Sequence, residues 1–120
     1  MTPTGKLRFA MVGCGGRARV HSPVAAAQDD MEISLWLDVD TEKAERLAAQ
    51  YGGMVAPSWD AILEDNSIAG VVVALPHDLH YDYGMAALRA GKHVMMEIPI
   101  AATPEQGRQM MATAERAGLV

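Results

Sequence analysis

The stretch that decides the fold is KLRFAMV at residues 6–12, running directly into Gly13-Cys14-Gly15-Gly16-Arg17-Ala18. A short apolar segment that ends at glycines reads as a strand. The alanine- and valine-rich segment 17–28 that follows reads as a helix. In that context the G-x-G-x-x-G/A spacing has a mechanical meaning. Gly13 permits a tight turn out of the strand, and Gly15 lets a pyrophosphate approach the backbone. Ala18 lets the helix pack close to the strand, with its amino end offering N–H donors to an anion. Cys14 and Gly16 fill the turn between them. Arg17 either reaches the phosphates or is an ordinary solvated helix residue. A glycine motif alone is equally a structural turn, so the neighbours must carry the reading. Residues 31–37, MEISLWL, form a second strand, and Asp38 stands at its end. A carboxylate there accepts both hydroxyls of an adenosine ribose and repels a 2′-phosphate, so the reading is dinucleotide binding with NAD favoured over NADP. Asp38 as a helix cap is the competing role, and Asp40, beside the next helix, suits that role better.

Working outward, strands and helices alternate. Pro23 would kink the first helix by removing a hydrogen bond, or Ser22 and Pro23 restart it as cap and first-turn proline. Apolar residues at Ala44, Leu47, Ala48 and Tyr51 mark a helix over 41–51, with Gly52 just past its end. A brief strand at 54–56, a short helix capped by Ser58 and reaching Leu63, and a Val-rich run at 69–75 come next. That continuous apolar run implies burial on both faces. Residues 78–90 are helical in pattern, 93–96 form a strand, and Thr103-Pro104-Glu105-Gln106 is a capping box opening a helix that closes at Gly118. Leu119 and Val120 look like the start of a sixth strand. This order predicts an α/β fold: a Rossmann-type doubly wound parallel sheet in three layers, with five full strands and the sixth truncated. Loops at the carboxyl ends of the strands then form the binding edge, bringing together residues 13–18, 38–40, 76–80 and 97–100.

Composition narrows the function further. The 120 residues are 50% hydrophobic and 21% charged, which fits one domain spanning 1–120. A net charge of -5 with interspersed signs leaves no basic stripe for nucleic acid. No apolar run approaches the ~20 residues of a membrane span, and Met1 to Arg8 lack the apolar core of a leader. The single cysteine, Cys14, forms no internal disulfide and no thiolate metal cluster. A cytoplasmic protein without a metal site is expected.

The segments beyond the glycine turn resemble the Gfo/Idh/MocA family of nicotinamide-dependent oxidoreductases, whose members act on sugars, inositols and related polyols. The likeness runs nearly end to end. It rests on Asp38-Val39-Asp40 stepping into a helix, on the Val71 to Pro76 strand followed by His77 to His80, and on Ala90-Gly91-Lys92-His93-Val94 leading to Glu97-Ile98-Pro99. The resemblance implies that Leu75 and Pro76 shape the turn under the adenosine, that His77 stands where an asparagine is usual, and that His80 lies near the nicotinamide end. Either histidine is alternatively a helix-start residue bonded to its own backbone. His21 and His93 are read as structural. Where the family's Glu-Lys-Pro carries a lysine that assists proton transfer, this chain has Ile98, an alkyl side chain that cannot donate, accept or carry charge. Glu97 is left as a lone carboxylate, a cofactor contact at best. The family's second α/β domain, which supplies the remaining catalytic residues, is not within these 120 residues, so no catalytic residue is assigned.

Two main readings follow: the amino-terminal dinucleotide-binding part of an oxidoreductase, or a stand-alone, degenerate nucleotide-binding module without dehydrogenase activity. A methyltransferase using the same sheet for an adenosyl ligand ranks lower, because the segments after Leu75 argue against it. The strand at 93–96 is expected to be an open edge, with Met95, Met96, Met110 and Met111 adding apolar area, so a homo-oligomer through that edge is expected.

Overall fold

The computed structural model describes residues 5–120; residues 1–4 of the segment scanned for a leader lie outside it. Five strands, β1 (Leu7–Val12), β2 (Met31–Leu37), β3 (Met54–Val55), β4 (Ile68–Val73) and β5 (His93–Met96), form one parallel sheet in the order β3-β2-β1-β4-β5. Helices α1 (Gly16–Ala26), α2 (Thr41–Tyr51), α3 (Trp59–Glu64), α4 (His80–Arg89) and α5 (Pro104–Ala117) connect or follow them. The sequence order reverses at β1 and β4, which places a crevice between their carboxyl ends.

The alternation of side chains along β1 explains the three layers. Met11 faces one side, where Ala18 and Ala25 of α1 and Ala44 and Leu47 of α2 close over Trp36, Ile33 and Val72. Ala10 and Val12 face the other side, packing with Val71, Val73, Ile62 of α3 and Ala87 of α4. α5 lies against α4 through Met85, Leu88 and Met110. Both faces of the central strands are covered, hence their unbroken apolar runs. Ala18 has no exposed surface, which is the close helix-to-strand approach that a larger side chain would prevent.

Helix ends follow their caps. Asp40 accepts from the Glu42 N–H at 3.1 Å, Ser58 from Ala61 at 3.0 Å and Thr103 from Gln106 at 3.2 Å. Gly118 closes α5 at φ 68°, a left-handed conformation suited to glycine.

Three local expectations are corrected. α1 does not restart at Ser22-Pro23; it runs through the proline, and Ser22 is buried with its hydroxyl donating to the Ala18 carbonyl at 2.6 Å. The helical segment after β4 opens as a short 3-10 turn at His77–Leu79 before α4 begins. The edge at β5 is less open than the pattern suggested: the Val94 N–H donates to the Val120 carbonyl at 2.9 Å, and the Val120 N–H donates to His93 Nδ1 at 3.0 Å. Met96 and Met110 pack inward, leaving Met95 and Met111 exposed.

Candidate dinucleotide-binding edge

The glycine turn is built by two different constraints. Gly13 has φ 91°, and a Cβ there would overlap the carbonyl oxygen of Ala74 at the end of β4. Its N–H donates to the Leu37 carbonyl at 2.8 Å, so the turn is locked between β2 and β4. Gly15 and Gly16 are the opposite case: a Cβ at either would meet no protein atom within 4 Å. Among the described residues no packing requires glycine at these two positions, and the space beside them suits a ligand approaching the backbone.

The helix that follows is distinctive electrostatically. The first N–H groups of any helix lack intrahelical acceptors. α2, α3 and α5 satisfy theirs with Asp40, Ser58 and Thr103 and add Glu42, Asp60 and Glu105 in the first turn. α4 has Asp82 there. α1 alone among the helices of the described residues has neither a side-chain cap nor a first-turn acid. Its partial positive charge carries neither kind of local compensation, an arrangement that can receive an anion. Arg19, Lys43 and Arg46 line a small cavity of about 50 Å³ beside Cys14 and Gly15, which adds positive charge on the same side.

Asp38 bridges the turn and the second strand. Its Oδ2 accepts from the Cys14 N–H at 2.7 Å and its Oδ1 from the Asp40 N–H at 2.8 Å. These two backbone donors fix the carboxylate at the carboxyl end of β2. Each oxygen has further acceptor capacity. Asp40 performs the capping of α2. Asp38, Leu37, Val39, Trp59, Leu75 and Tyr83 line a mostly apolar cleft of about 210 Å³ on the other side of the turn, with the Trp59 and Tyr83 rings 4.9 Å apart. Pro76 and His77, which follow Leu75 in the chain, are exposed. The sequence pointed to Asp38 and Leu75 here. It had placed Val39 on the edge within 38–40, and it did not reveal Trp59 of α3 or Tyr83 of α4.

Cys14 is buried; its thiol donates to the Leu37 carbonyl at 3.5 Å. Burial, with the Asp38 charge nearby, pushes its pKa up to about 12. It is a thiol at neutral pH and no nucleophile.

Two expectations change at the far end of the edge. Glu97 is not a lone carboxylate. Its Oε1 accepts from His21 Nε2 and, at 3.2 Å, from Arg17 Nε, both on α1. The hydrogen bond from His21, followed by that from Arg17, holds the Glu97 carboxyl below the usual carboxylate range. Arg17 and His21 are four residues apart and so share a helix face, a signal available in the sequence, although the partner 76 residues from His21 was not. The second change concerns His80, which is fully buried with its ring nitrogens 2.6 Å from the Pro99 carbonyl and 2.8 Å from the Leu75 carbonyl. Neither nitrogen is free to meet a ligand in this structure. Ile98 sits between these two anchored positions, 79% exposed.

Glycines with open space, an uncapped helix terminus, a carboxylate at the end of β2 and an apolar cleft together fit a dinucleotide. Comparison with known proteins agrees. A family model described as "Oxidoreductase family, NAD-binding Rossmann fold" matches residues 7–120. The chain is 39% identical over 118 residues to D-glucoside 3-dehydrogenase of Escherichia coli (strain K12), covering 95% of this chain and 33% of that protein. Among solved structures it superposes on KijD10, a 3-ketoreductase from Actinomadura kijaniata in complex with NADP, with TM-score 0.90 and 30% identity over 96% of this chain and 37% of that one. It also superposes on GenD2 from gentamicin A biosynthesis in complex with NAD, with TM-score 0.92 and 30% identity over 100% and 36%. The chain spans about a third of the length of the curated relatives it matches.

Proposed function

The chain belongs to the Gfo/Idh/MocA family of oxidoreductases as its NAD-binding Rossmann domain, and from that premise we propose that it holds NAD(H) in preference to NADP(H). The observation that carries the preference is Asp38, pinned by the Cys14 and Asp40 N–H groups where an adenosine ribose would lie. Its free lone pairs accept the ribose hydroxyls, and its charge opposes a 2′-phosphate. Gly13 to Ala18 carry the pyrophosphate on the N–H groups of α1, with Cys14 contributing backbone only. The cations Arg19, Lys43 and Arg46 attract the phosphates of either dinucleotide. The cleft bounded by Val39, Trp59 and Leu75 takes the adenine, and the exposed Pro76 and His77 that follow Leu75 are assigned to the same side. His80 and Glu97 act on the nicotinamide side through the loop they anchor. When bound, the nicotinamide supplies hydride transfer. This chain's residues bind and orient it.

For the whole protein we propose oxidoreduction of a sugar or polyol. Support comes from the relatives, among them D-glucoside 3-dehydrogenase. One observation favours a second reading, a nucleotide-binding module without turnover: the exposed side chain of Ile98 cannot move a proton, a function typically worth about 10²- to 10⁴-fold in rate. The same reading puts the protein in the cytoplasm, consistent with one buried thiol, and gives it a homo-oligomeric contact near Met95 and Met111, both exposed toward the β5 and α5 end. Isothermal titration with NADH and NADPH at matched ionic strength tests the cofactor. Tighter NADH binding is expected, and equal or tighter NADPH binding would remove the role given to Asp38.

A further inference from the structure

The amino end of α1 meets the end of β5 through the side chain of Arg17. This arginine is the second residue of α1, on the first turn of a helix that has neither a capping side chain nor an acid there. Its Nε donates to Glu97 Oε1 at 3.2 Å, and Glu97 directly follows β5. That contact uses one of the five N–H donors of a guanidinium. The two Nη groups have no partner among the described residues, and 59% of the side chain is exposed, against 16% for Glu97. A carboxylate on Nε leaves the outer edge of the guanidinium, with its two Nη groups, open to a second anion. That edge offers parallel N–H bonds, the pairing that a phosphate takes. Glu97 is itself fixed, because His21, one turn further along α1, bonds to the same oxygen. We propose that Arg17 is a phosphate contact, and that Glu97 is the positioning residue that holds its guanidinium toward the pyrophosphate.

The order of the sheet says which phosphate. From β2 to β5 the carboxyl edge runs from Asp38 through the glycine turn and the end of β4 to Glu97. Asp38 marks the adenosine ribose, so a dinucleotide laid across the turn has its nicotinamide half toward β4 and β5. Arg19 lies two positions beyond Arg17, about 200° around the helix. It lines the small cavity with Lys43 and Arg46 of α2, on the adenosine side. Arg17, tied to the end of β5, stands on the other flank and faces the nicotinamide-side phosphate. Holding the guanidinium in place beforehand removes part of the side-chain ordering that binding requires. The assignment rests on the dinucleotide reading and adds a selectivity to it. A ligand with two phosphates engages Arg17, and a ligand with the adenosine-side phosphate alone does not.

Titration of the full chain with NADH, ADP and AMP tests this. ADP carries a phosphate where the nicotinamide-side phosphate would lie, and AMP lacks it. Arg17→Ala should weaken NADH and ADP by about 10-fold or more, the loss of a hydrogen bond to a charged group, and leave AMP nearly unchanged. Unchanged AMP binding also shows that the variant is folded at the turn. Arg17→Lys should recover little, because an ammonium held by Glu97 has no second edge to offer. Glu97→Gln should weaken ADP by about 2- to 10-fold, the effect of leaving one long side chain unordered before binding. It should add nothing in the Arg17→Ala background. ADP binding that survives Arg17→Ala, or equal losses for ADP and AMP, would overturn the phosphate contact while the dinucleotide reading stands. Tighter ADP binding by Glu97→Gln would mean that the carboxylate competes with the phosphate, which overturns the positioning role. A parent chain that binds none of the three ligands removes the dinucleotide reading, and this assignment with it.

Discussion

Replacing Gly15 by alanine separates ligand binding from folding. The added methyl meets no protein atom within 4 Å, and φ is -90°, which any residue adopts. Alanine lowers unfolded-chain entropy, worth about 0.4–1 kcal/mol in favour of the fold. It is a poorer helix cap than glycine by a comparable amount, so the net change in stability should stay within about 0.5 kcal/mol. A pyrophosphate seated on the turn needs the same space, and an intruding methyl in a tight contact costs about 1–3 kcal/mol. That corresponds to a Kd weaker by about 5- to 150-fold. Gly13→Ala is the contrasting variant. At φ 91° the left-handed conformation alone costs about 1–2 kcal/mol, and the overlap with the Ala74 carbonyl forces β1 and β4 apart. Gly13→Ala should therefore fail first in thermal unfolding followed by circular dichroism, while Gly15→Ala melts like the parent and fails in NADH titration followed by fluorescence. A folded Gly15→Ala chain that binds NADH as tightly as the parent would refute the pyrophosphate site.

Asp38→Ala should erase the discrimination between NADH and NADPH and weaken NADH by about 10-fold or more, through a charge-assisted bond worth about 1.5–3 kcal/mol; calorimetry on both ligands checks this. Cys14 should resist iodoacetamide in the folded chain at pH 8 and react promptly in denaturant, because its thiol is buried with a pKa raised to about 12; rapid labelling of folded protein would contradict the burial. The acid limb of stability should depend on Glu97. Its pKa is lowered in the fold, so its contribution is fully present above the ordinary carboxylate range and is lost as pH falls through the folded value. Asp65, also lowered through Ser67, contributes in the same sense. Glu97→Gln should therefore flatten, without abolishing, the fall in melting temperature between neutral pH and pH 3. An unchanged acid limb would mean that the bonds from His21 and Arg17 add nothing to stability.

Features set by neighbours in sequence were legible before any coordinates. α2 and α5 begin and end where Asp40, Thr103 and Gly118 say they should, because capping is a local exchange of hydrogen bonds. The parallel sheet followed from alternation, and the glycine turn from its place between strand and helix. Features decided by contacts across the chain were not legible. Ser22 looks like a cap before Pro23, yet its hydroxyl has an acceptor one turn back at Ala18, and the helix continues. Glu97 looks isolated until the sheet brings α1 beside the end of β5. His80 carries a family pattern that suggests a ligand contact, but burial between two carbonyls gives the ring a different neighbour on each side. Lys92 likewise lies inside a motif, and the structure shows it buried, with its Nζ donating to the Asp65 and Ile68 carbonyls at 2.8 and 3.1 Å. In each case the side chain's chemistry was readable and its partner was not.

The most direct test of the account is amide chemical-shift mapping of the nitrogen-15-labelled chain during titration with NADH. The largest changes should fall on residues 13–18, on Asp38 to Asp40 and on Leu75 to His77, with saturation at one ligand per chain. A different apolar cleft, of about 300 Å³ and lined by Met11, Val24, Val72 and Met95, lies away from the glycine turn between α1 and the sheet. If saturating NADH shifts the amides around that cleft and leaves residues 13–18 unmoved, the dinucleotide is not held on the glycine turn and the central claim is wrong.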